Sequence, residues 1–251
     1  MSALLETIGL AKRYPTRHGL LHAVDGVDLK IGRGESLGLV GESGCGKSTL
    51  VRLLARLIEP SEGAIVFDGR DIAPIPLDRF VRSPARARIQ SVFQDPTESL
   101  NPALTVFDAV ADLRTRLGMS YLFVSHDLNV VSLLCSRIAV MYLGRIVEQA
   151  PAAELFRDPR HPYTRSLLAS IPDPARRGEW PLRPDGSARS PIDPSPHVCR
   201  FEGRCPRQEA VCAERMPLLL PTTPDHLVAC HFAEETAFVA AGSAPAARPA
   251  H

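Results

Sequence analysis

The sequence predicts an α/β fold in which short buried strands alternate with helices, with an antiparallel β subdomain in front and an irregular, Cys-containing C-terminal extension behind. Three observations support this prediction. Short apolar runs such as Ser36–Val40 are followed by segments with helical spacing of Leu and Val. Two longer segments of loose alternation precede them, and a Pro-rich stretch and four Cys residues follow them. The 251 residues suffice for one large domain with an appendage.

The individual elements follow from local patterns in chain order. Ile8–Tyr14 and His22–Ile31 alternate like paired antiparallel strands, and Ser36–Val40 is predicted to be a buried strand. A helix over Thr49–Leu57 ends at Pro60–Gly63, before another strand at Ala64–Asp68. Later strands are predicted at Ile89–Phe93, Tyr121–Ser125, Ile138–Tyr142 and Ile146–Glu148, and later helices at Leu128–Ser136, Ala152–Phe156 and Tyr163–Ala169. The Pro-rich residues 172–196 are predicted to be irregular.

The composition is that of an ordinary globular protein, with 45% apolar and 23% charged residues. A formal net charge of +1 provides no basic excess for a phosphodiester backbone, which argues against nucleic-acid partners. Mean hydropathy is -0.02, and no apolar run approaches the roughly 18 residues that a spanning helix needs. Because the first residues also lack a basic segment followed by an apolar one, we expect a cytoplasmic protein.

A Gly-rich loop, Gly41-Glu-Ser-Gly-Cys-Gly-Lys47-Ser48, lies between the buried strand and the helix that follows it. The pattern G-x-x-x-x-G-K-[ST] is typical of loops whose backbone N–H groups surround phosphates at the positive end of a helix. Lys47 is expected to reach the β- and γ-phosphates, and Ser48 to ligate Mg²⁺. The alternative is a Gly-rich turn with an incidental Lys. The GTPase motifs D-x-x-G and N-K-x-D are both absent from the sequence. The candidate nucleotide-binding residues of the loop are Gly41, Glu42, Ser43, Gly44, Cys45, Gly46, Lys47, Ser48 and Thr49.

With this loop in place, the sequence resembles the nucleotide-binding subunits of ABC transporters. Tyr14 lies upstream of the loop, where the family has an aromatic residue that stacks on adenine. Val92-Phe-Gln94-Asp-Pro resembles the Q-loop, and Tyr121-Leu-Phe-Val-Ser-His126-Asp127 resembles the H-loop. The resemblance implies Gln94 and His126 as catalytic residues, and Ser48 and Gln94 as Mg²⁺ ligands. From the residues alone, the alternatives are a strand-edge Tyr, a polar turn and a structural His.

Later segments are similar to the oligopeptide/dipeptide and nickel importers of that family. They are Met141–Glu148, His161-Pro-Tyr-Thr164, and the segment from Cys199 to His231. The resemblance implies an ABC-type domain at 1–150, an importer-type extension at 151–235 and a disordered tail at 236–251. It implies a subunit that couples ATP and Mg²⁺ to the import of peptides or similar small solutes. Such a subunit lies in the cytoplasm at the inner face of the plasma membrane. Its partners would be two membrane-spanning permease subunits, a second ATP-binding subunit and, indirectly, a solute-binding protein.

Two motifs of the family are absent from the sequence. It contains no L-S-G-G-Q signature and no Walker B strand ending in Asp-Glu, since Ile65-Val-Phe-Asp68 is followed by Gly69 and precedes the Q-loop. His126 follows Gln94 by only 32 positions, so an internal deletion with a seam near Phe107–Asp112 is expected to have removed most of the helical subdomain. The sequence therefore does not decide whether the protein hydrolyses ATP. The alternatives are a non-hydrolysing remnant or regulatory module, and a stand-alone soluble ATPase.

Four Cys residues form the pattern Cys199-x5-Cys205-x6-Cys212-x17-Cys230. Clustered Cys in a cytosolic protein favour metal or redox chemistry over structural disulfides. The spacing departs from the C-x2–4-C pairs of zinc sites, whereas [4Fe–4S] clusters accept varied spacing. The resembled importers share the pattern, which implies a [4Fe–4S] cluster. The alternatives are a zinc site, and plain thiols or adventitious disulfides.

Overall fold

The computed structural model describes residues 3–91, 118–125, 128–171 and 189–234. Gln94, His126, the expected seam near Phe107–Asp112 and the predicted tail at 236–251 lie outside these ranges. The described strands are β1 (Ala3–Thr16), β2 (Gly19–Gly32), β3 (Ser36–Val40), β4 (Glu62–Phe67), β5 (Arg70–Asp71), β6 (Tyr121–Val124), β7 (Arg137–Tyr142), β8 (Arg145–Pro151), β9 (Leu220–Thr223) and β10 (His226–Val228). The described helices are α1 (Lys47–Leu54), α2 (Leu77–Phe80), α3 (Pro84–Arg88), α4 (Leu128–Leu134), α5 (Ala152–Arg157), α6 (Pro162–Ala169) and α7 (Ala210–Glu214). None of these helices is long and apolar enough to cross a bilayer.

The first sheet is antiparallel, with the strand order β2-β1-β4-β5. The long hairpin of β1 and β2 buries one face through residues such as Leu10, Val24, Val27 and Leu29, while the alternate residues stay exposed. The predicted antiparallel β subdomain is therefore confirmed. Because Ile65 lies in β4 and pairs with β1, the segment ending at Asp68 belongs to this sheet.

The second sheet carries the α/β core, with the strand order β6-β3-β7-β8-β10-β9. β3 is parallel to both β6 and β7, and all five of its residues are buried, as its continuous apolar run predicts. The strands from β7 onward pair antiparallel. Within the described residues, β6 pairs on one side only.

The predicted strand at Ile89–Phe93 is wrong over its described part, since residues 89–91 form no strand. The end of α3 occupies the backbone groups that a ladder would use. The Ile89 N–H donates to the Ala85 carbonyl at 3.1 Å, and the Arg86 guanidinium donates to the Ile89 carbonyl at 2.7 Å. Val92 and Phe93 lie outside the described residues.

The C-terminal extension joins the fold through strands that the sequence did not predict. β10 pairs with β8, with Leu227 opposite Gln149, and so adds β10 and β9 to the core sheet. The end of the Pro-rich stretch also returns to the first sheet. The His22 N–H donates to the Pro191 carbonyl, and the Asp193 N–H donates to the Leu20 carbonyl, both at 2.9 Å. The extension thus contacts both sheets.

A buried His and two carboxylates hold β10 in place. His226 Nε2 lies 2.7 Å from a carboxylate oxygen of Glu148, and His226 Nδ1 lies 3.1 Å from a carboxylate oxygen of Glu154. Glu148 also accepts the backbone N–H groups of Arg160 and His161. Burial alone would lower the pKa of His226, but the hydrogen bonds to the two carboxylates outweigh it and raise that pKa. Burial lowers the pKa of His161 to about 4.

We expect these two His residues to give the free energy of unfolding a maximum near their ordinary pKa of 6.5. Between pH 6.5 and 4, His161 binds a proton in the unfolded chain but stays neutral in the folded chain. The free energy of unfolding therefore falls as the solution is acidified. Above pH 6.5 the folded chain holds the His226 proton more tightly, so stability falls as pH rises through the raised pKa. Urea unfolding across this range measures both slopes. His226→Gln should remove the alkaline slope and keep the acidic one; an unchanged alkaline slope contradicts the assignment.

Candidate phosphate-binding site

The Gly-rich loop joins the carboxyl end of β3 to α1. In the core sheet, β3 lies between the parallel strands β6 and β7. Gly46 (φ 110°) and Gly41 (φ 151°) adopt positive φ values. A Cβ at Gly46 would overlap the Ala23 carbonyl oxygen, and a Cβ at Gly41 would overlap the Met141 carbonyl oxygen. Only glycine therefore permits the loop to lie this close to β2 and β7.

Lys47 spans the loop that precedes it. Its ammonium donates to the carbonyl oxygens of Gly41 at 2.6 Å and Glu42 at 2.9 Å, and lies 3.5 Å from Cys45 Sγ. The first N–H groups of α1 have no partner within the helix and carry its positive end. The loop therefore presents one ammonium and the N-terminus of an eight-residue helix to the same space.

This space is a cleft of about 490 Å³. The loop residues from Ser43 to Thr49 form one wall, and Tyr14 and His22 lie in another. Lys12 Nζ lies 5.2 Å from the centre of the Tyr14 ring. Ser125, which immediately precedes position 126, also lines the cleft. The structure thus brings Tyr14 together with seven of the predicted loop residues, whereas Gln94 and His126 lie outside the part of the chain that it describes.

The cleft contains no acidic side chain among the described residues that line it. The remaining lining residues are Leu21, Ala23, Val124, Leu143, Gly144 and Pro191. A carboxylate that could share Mg²⁺ or polarise a water molecule is therefore missing from this described lining.

Glu42 differs from its neighbours in the loop, because its side chain points away from the cleft. The Glu42 carboxylate pairs with the Arg204 guanidinium, with N–O distances of 3.0 and 3.2 Å. The Glu42 N–H donates to the Tyr163 hydroxyl at 2.7 Å. Arg204 also donates to the Tyr142 hydroxyl at 3.1 Å. Sequence reasoning missed Arg204, although Tyr163 belongs to the His-Pro-Tyr-Thr segment that it singled out.

A second ion pair joins the extension to the sheets beside the cleft. Asp25 accepts from Arg200 at 2.6 Å and from Arg145 at 2.8 Å, and lies 3.3 Å from His22 Nδ1. Burial alone would raise the pKa of Asp25, but the hydrogen bonds from the two guanidinium groups lower it well below its usual range. Asp25 is therefore ionised, and it fixes β2 beside the loop.

The four Cys residues of the extension lie close to one another. The Cys199 N–H donates to the Cys212 carbonyl at 2.8 Å, and burial raises the pKa of the Cys205 thiol to about 11, with its three neighbours adding to the effect. Burial likewise raises the pKa of Cys199 and Cys230. However, within the described ranges no three His, Cys, Asp or Glu side chains are placed to hold one metal ion. The described arrangement does not fit a metal, and the [4Fe–4S] interpretation stays a prediction.

Comparisons with known proteins agree with this architecture. Residues 24–154 match the ABC transporter family, and residues 147–212 match the oligopeptide/dipeptide transporter C-terminal region. The chain belongs to the ABC transporter family. The sequence resemblance to this family, and to its oligopeptide and dipeptide members, is thereby confirmed.

Relatives of this ABC protein carry related names. A putative peptide import ATP-binding protein of Brucella ovis is 35% identical, over 90% of this chain and 97% of that protein. The oligopeptide transport ATP-binding protein AppF of Bacillus subtilis is 32% identical, over 91% and 97% respectively. The dipeptide transport ATP-binding protein DppF of Haemophilus influenzae is 31% identical, over 90% and 96%.

We expect Gly46→Ala to destabilise the ABC protein by about 1–3 kcal/mol, because the added methyl group meets a backbone carbonyl that is fixed in β2. Gly44→Ala is the matched control, since Gly44 also has a positive φ of 80° but has no heavy atom within 4 Å of the added Cβ. Its cost should be limited to the left-handed backbone, about 1 kcal/mol. Urea unfolding curves measure both. Equal losses in the two variants would contradict the close approach at Ala23.

Proposed function

We propose that this ABC protein is the ATP-binding subunit of an importer for peptides or similar small solutes. The observation that carries this proposal is the cleft in which the intact loop faces Tyr14 across a space lined by the N-terminus of α1. The oligopeptide/dipeptide-type C-terminal region and the names of the relatives supply the solute class.

The residues of the cleft fit a nucleoside triphosphate with Mg²⁺. The loop and helix N-terminus offer N–H donors to phosphate oxygens, and Tyr14 offers an aromatic face to a base. The Lys47 ammonium, now held by two carbonyl oxygens, would exchange them for the β- and γ-phosphates. The Ser48 hydroxyl would ligate Mg²⁺, which when bound offsets phosphate charge.

Lys47→Ala is expected to abolish binding of Mg-ATP, because it removes the cation that spans the loop. Isothermal titration calorimetry of wild type and variant measures the loss. Lys30→Ala makes the same charge change at an exposed residue that pairs with Glu6 in the first sheet, and it should bind as the wild type does. Equal affinity of the wild type and Lys47→Ala would refute the proposed site.

We also propose that the chain lacks the family segment between the Q-loop and the H-loop, and that it binds ATP without efficient hydrolysis. Three observations support this. The described lining of the cleft has no carboxylate, and β6 is paired on one side only in the described part of the chain. The alignment with the Brucella ovis protein runs over 312 positions although this chain has 251 residues, so positions of that relative have no counterpart here.

ATP turnover is accordingly expected to be near background, alone and with membrane subunits. Losing one positioned electrostatic group costs about 10²–10³ in rate, and several are missing here. Steady-state release of phosphate measures the turnover, with Lys47→Ala as the blank. Hydrolysis that depends on Lys47 and reaches about one turnover per second would show that another carboxylate, such as Asp95 or Asp127, has taken over.

The partners follow from the same proposal. This chain would couple its binding of ATP to transport through membrane-embedded permease subunits. The family pattern is two permease subunits with a second ATP-binding subunit. The ATP-binding subunits lie at the cytoplasmic face of the plasma membrane. A solute-binding protein would act through the permeases rather than through this chain. The domain limits 1–150, 151–235 and 236–251 belong to this proposal as well.

From the four-Cys pattern of its sequence, the Cys segment is predicted to carry iron and sulfide when the protein is prepared anaerobically. Since the described arrangement holds no three-ligand group, the segment must rearrange for this to occur. Iron and sulfide analysis tests the prediction. Cys205→Ser should remove both, whereas Cys135→Ser, which changes a buried cysteine directly after α4 and outside the four-Cys pattern, should retain them. A colourless wild-type protein without metal favours plain thiols.

A further inference from the structure

We infer that Arg204 and Tyr163 of the C-terminal extension are positioning residues for the phosphate loop, so that nucleotide binding is energetically coupled to the Cys-containing segment. This inference rests on the proposed binding of ATP. It assigns a role in that binding to two residues that lie outside the cleft.

All three polar groups of Glu42 are engaged in hydrogen bonds or ion pairs. The N–H donates to the Tyr163 hydroxyl, the carbonyl accepts from Lys47, and the carboxylate pairs with Arg204. The first contact fixes the Gly41–Glu42 peptide group, whose carbonyl also accepts from Lys47, and the third contact fixes the Glu42 side chain. Together they hold in place the two residues whose carbonyl oxygens bind the Lys47 ammonium. Because Lys47 must leave those carbonyl oxygens to reach phosphate, the position of Glu42 sets the starting point of the exchange.

Charge gives Arg204 a second role. The Glu42 side chain is only 40% exposed and lies at the start of a loop that is to receive a polyanion. The Arg204 side chain is 12% exposed and does not line the cleft, and its guanidinium neutralises that carboxylate. Without Arg204, the unpaired Glu42 carboxylate would repel phosphate and be free to turn toward the loop.

Arg204 is itself held by the Cys segment. Its guanidinium carbon lies 5.8 Å from the Tyr142 ring centre and 5.9 Å from the Phe201 ring centre. Phe201 is buried and packs against both Tyr142 and Tyr163, with ring centres 5.2 and 5.6 Å apart. Cys205 directly follows Arg204 in the sequence. A displacement of the segment at Cys199–Cys205 would therefore move the cation that holds Glu42.

The first experiment measures Mg-ATP affinity by isothermal titration calorimetry. Arg204→Gln should weaken binding about five- to tenfold, in the range of ordinary coupling energies, and Tyr163→Phe should weaken it less. Arg204→Gln combined with Glu42→Gln should bind better than Arg204→Gln alone, because the unpaired charge is gone. Arg33→Gln is the matched control: Arg33 pairs with Asp68 away from the extension, and its loss should leave affinity unchanged. Circular dichroism and urea unfolding verify that each variant is folded.

The second experiment gives a readout that a purely structural role would not move. Coupling is reciprocal, so Mg-ATP should slow the alkylation of Cys199 and Cys205 by iodoacetamide, measured cysteine by cysteine through peptide mass mapping. Arg204→Gln, at saturating Mg-ATP, should lose most of this protection, and Arg33→Gln should keep it.

The outcomes separate the two claims. A wild type that binds no Mg-ATP overturns the proposed function, and the inference falls with it. A wild type that binds Mg-ATP, with a folded Arg204→Gln variant of equal affinity and equal cysteine protection, overturns the inference alone. Loss of affinity that Glu42→Gln does not relieve would show that Arg204 acts by another route.

Discussion

The position of the phosphate loop depends on one buried carboxylate, that of Asp25. Taking a charge out of water costs several kcal/mol, and here Arg145 of β8 and Arg200 of the extension offset that cost from two directions. The Asp25 N–H also donates to the Gly144 carbonyl, and the Gly144 N–H donates to the Cys45 carbonyl within the loop. Both sheets, the extension and the loop therefore meet at Asp25. Removal of either guanidinium would leave a buried charge that the rest of the site must accommodate.

The parts of the fold that the sequence predicted are those with local causes. The alternation in β1 and β2, the apolar run of β3 and the Gly-rich loop each arise from residues that are close in the chain. The placement of Tyr14 beside the loop followed from a family resemblance rather than from physical reasoning. The helix after the loop was predicted at Thr49–Leu57 but spans Lys47–Leu54, because its N-cap is Gly46 of the loop, which makes no side-chain cap hydrogen bond.

The remainder could not be predicted because its causes are distant in sequence. β10 has only three residues, and it forms because Glu148 and Glu154 meet His226 across the fold. The direction of the Glu42 side chain could not be predicted for the same reason. The motif places Glu42 in the loop, but its partner Arg204 lies 162 positions away in the sequence. The error at Ile89 had a local cause of another kind, an α3 helix end that competes for the same backbone groups.

The long return of the chain has a consequence for how the protein is made. The Leu20 N–H donates to the Asp193 carboxylate, and the Arg200 guanidinium donates to Asp25. The first hairpin therefore completes its contacts only with residues that are synthesised much later. Contacts this distant in sequence slow folding, and an N-terminal region that leaves the ribosome first must wait for them with apolar surface exposed. Chaperone demand during synthesis would then concentrate in the interval before the extension emerges. A chain truncated before residue 200 would never form the contact between Arg200 and Asp25.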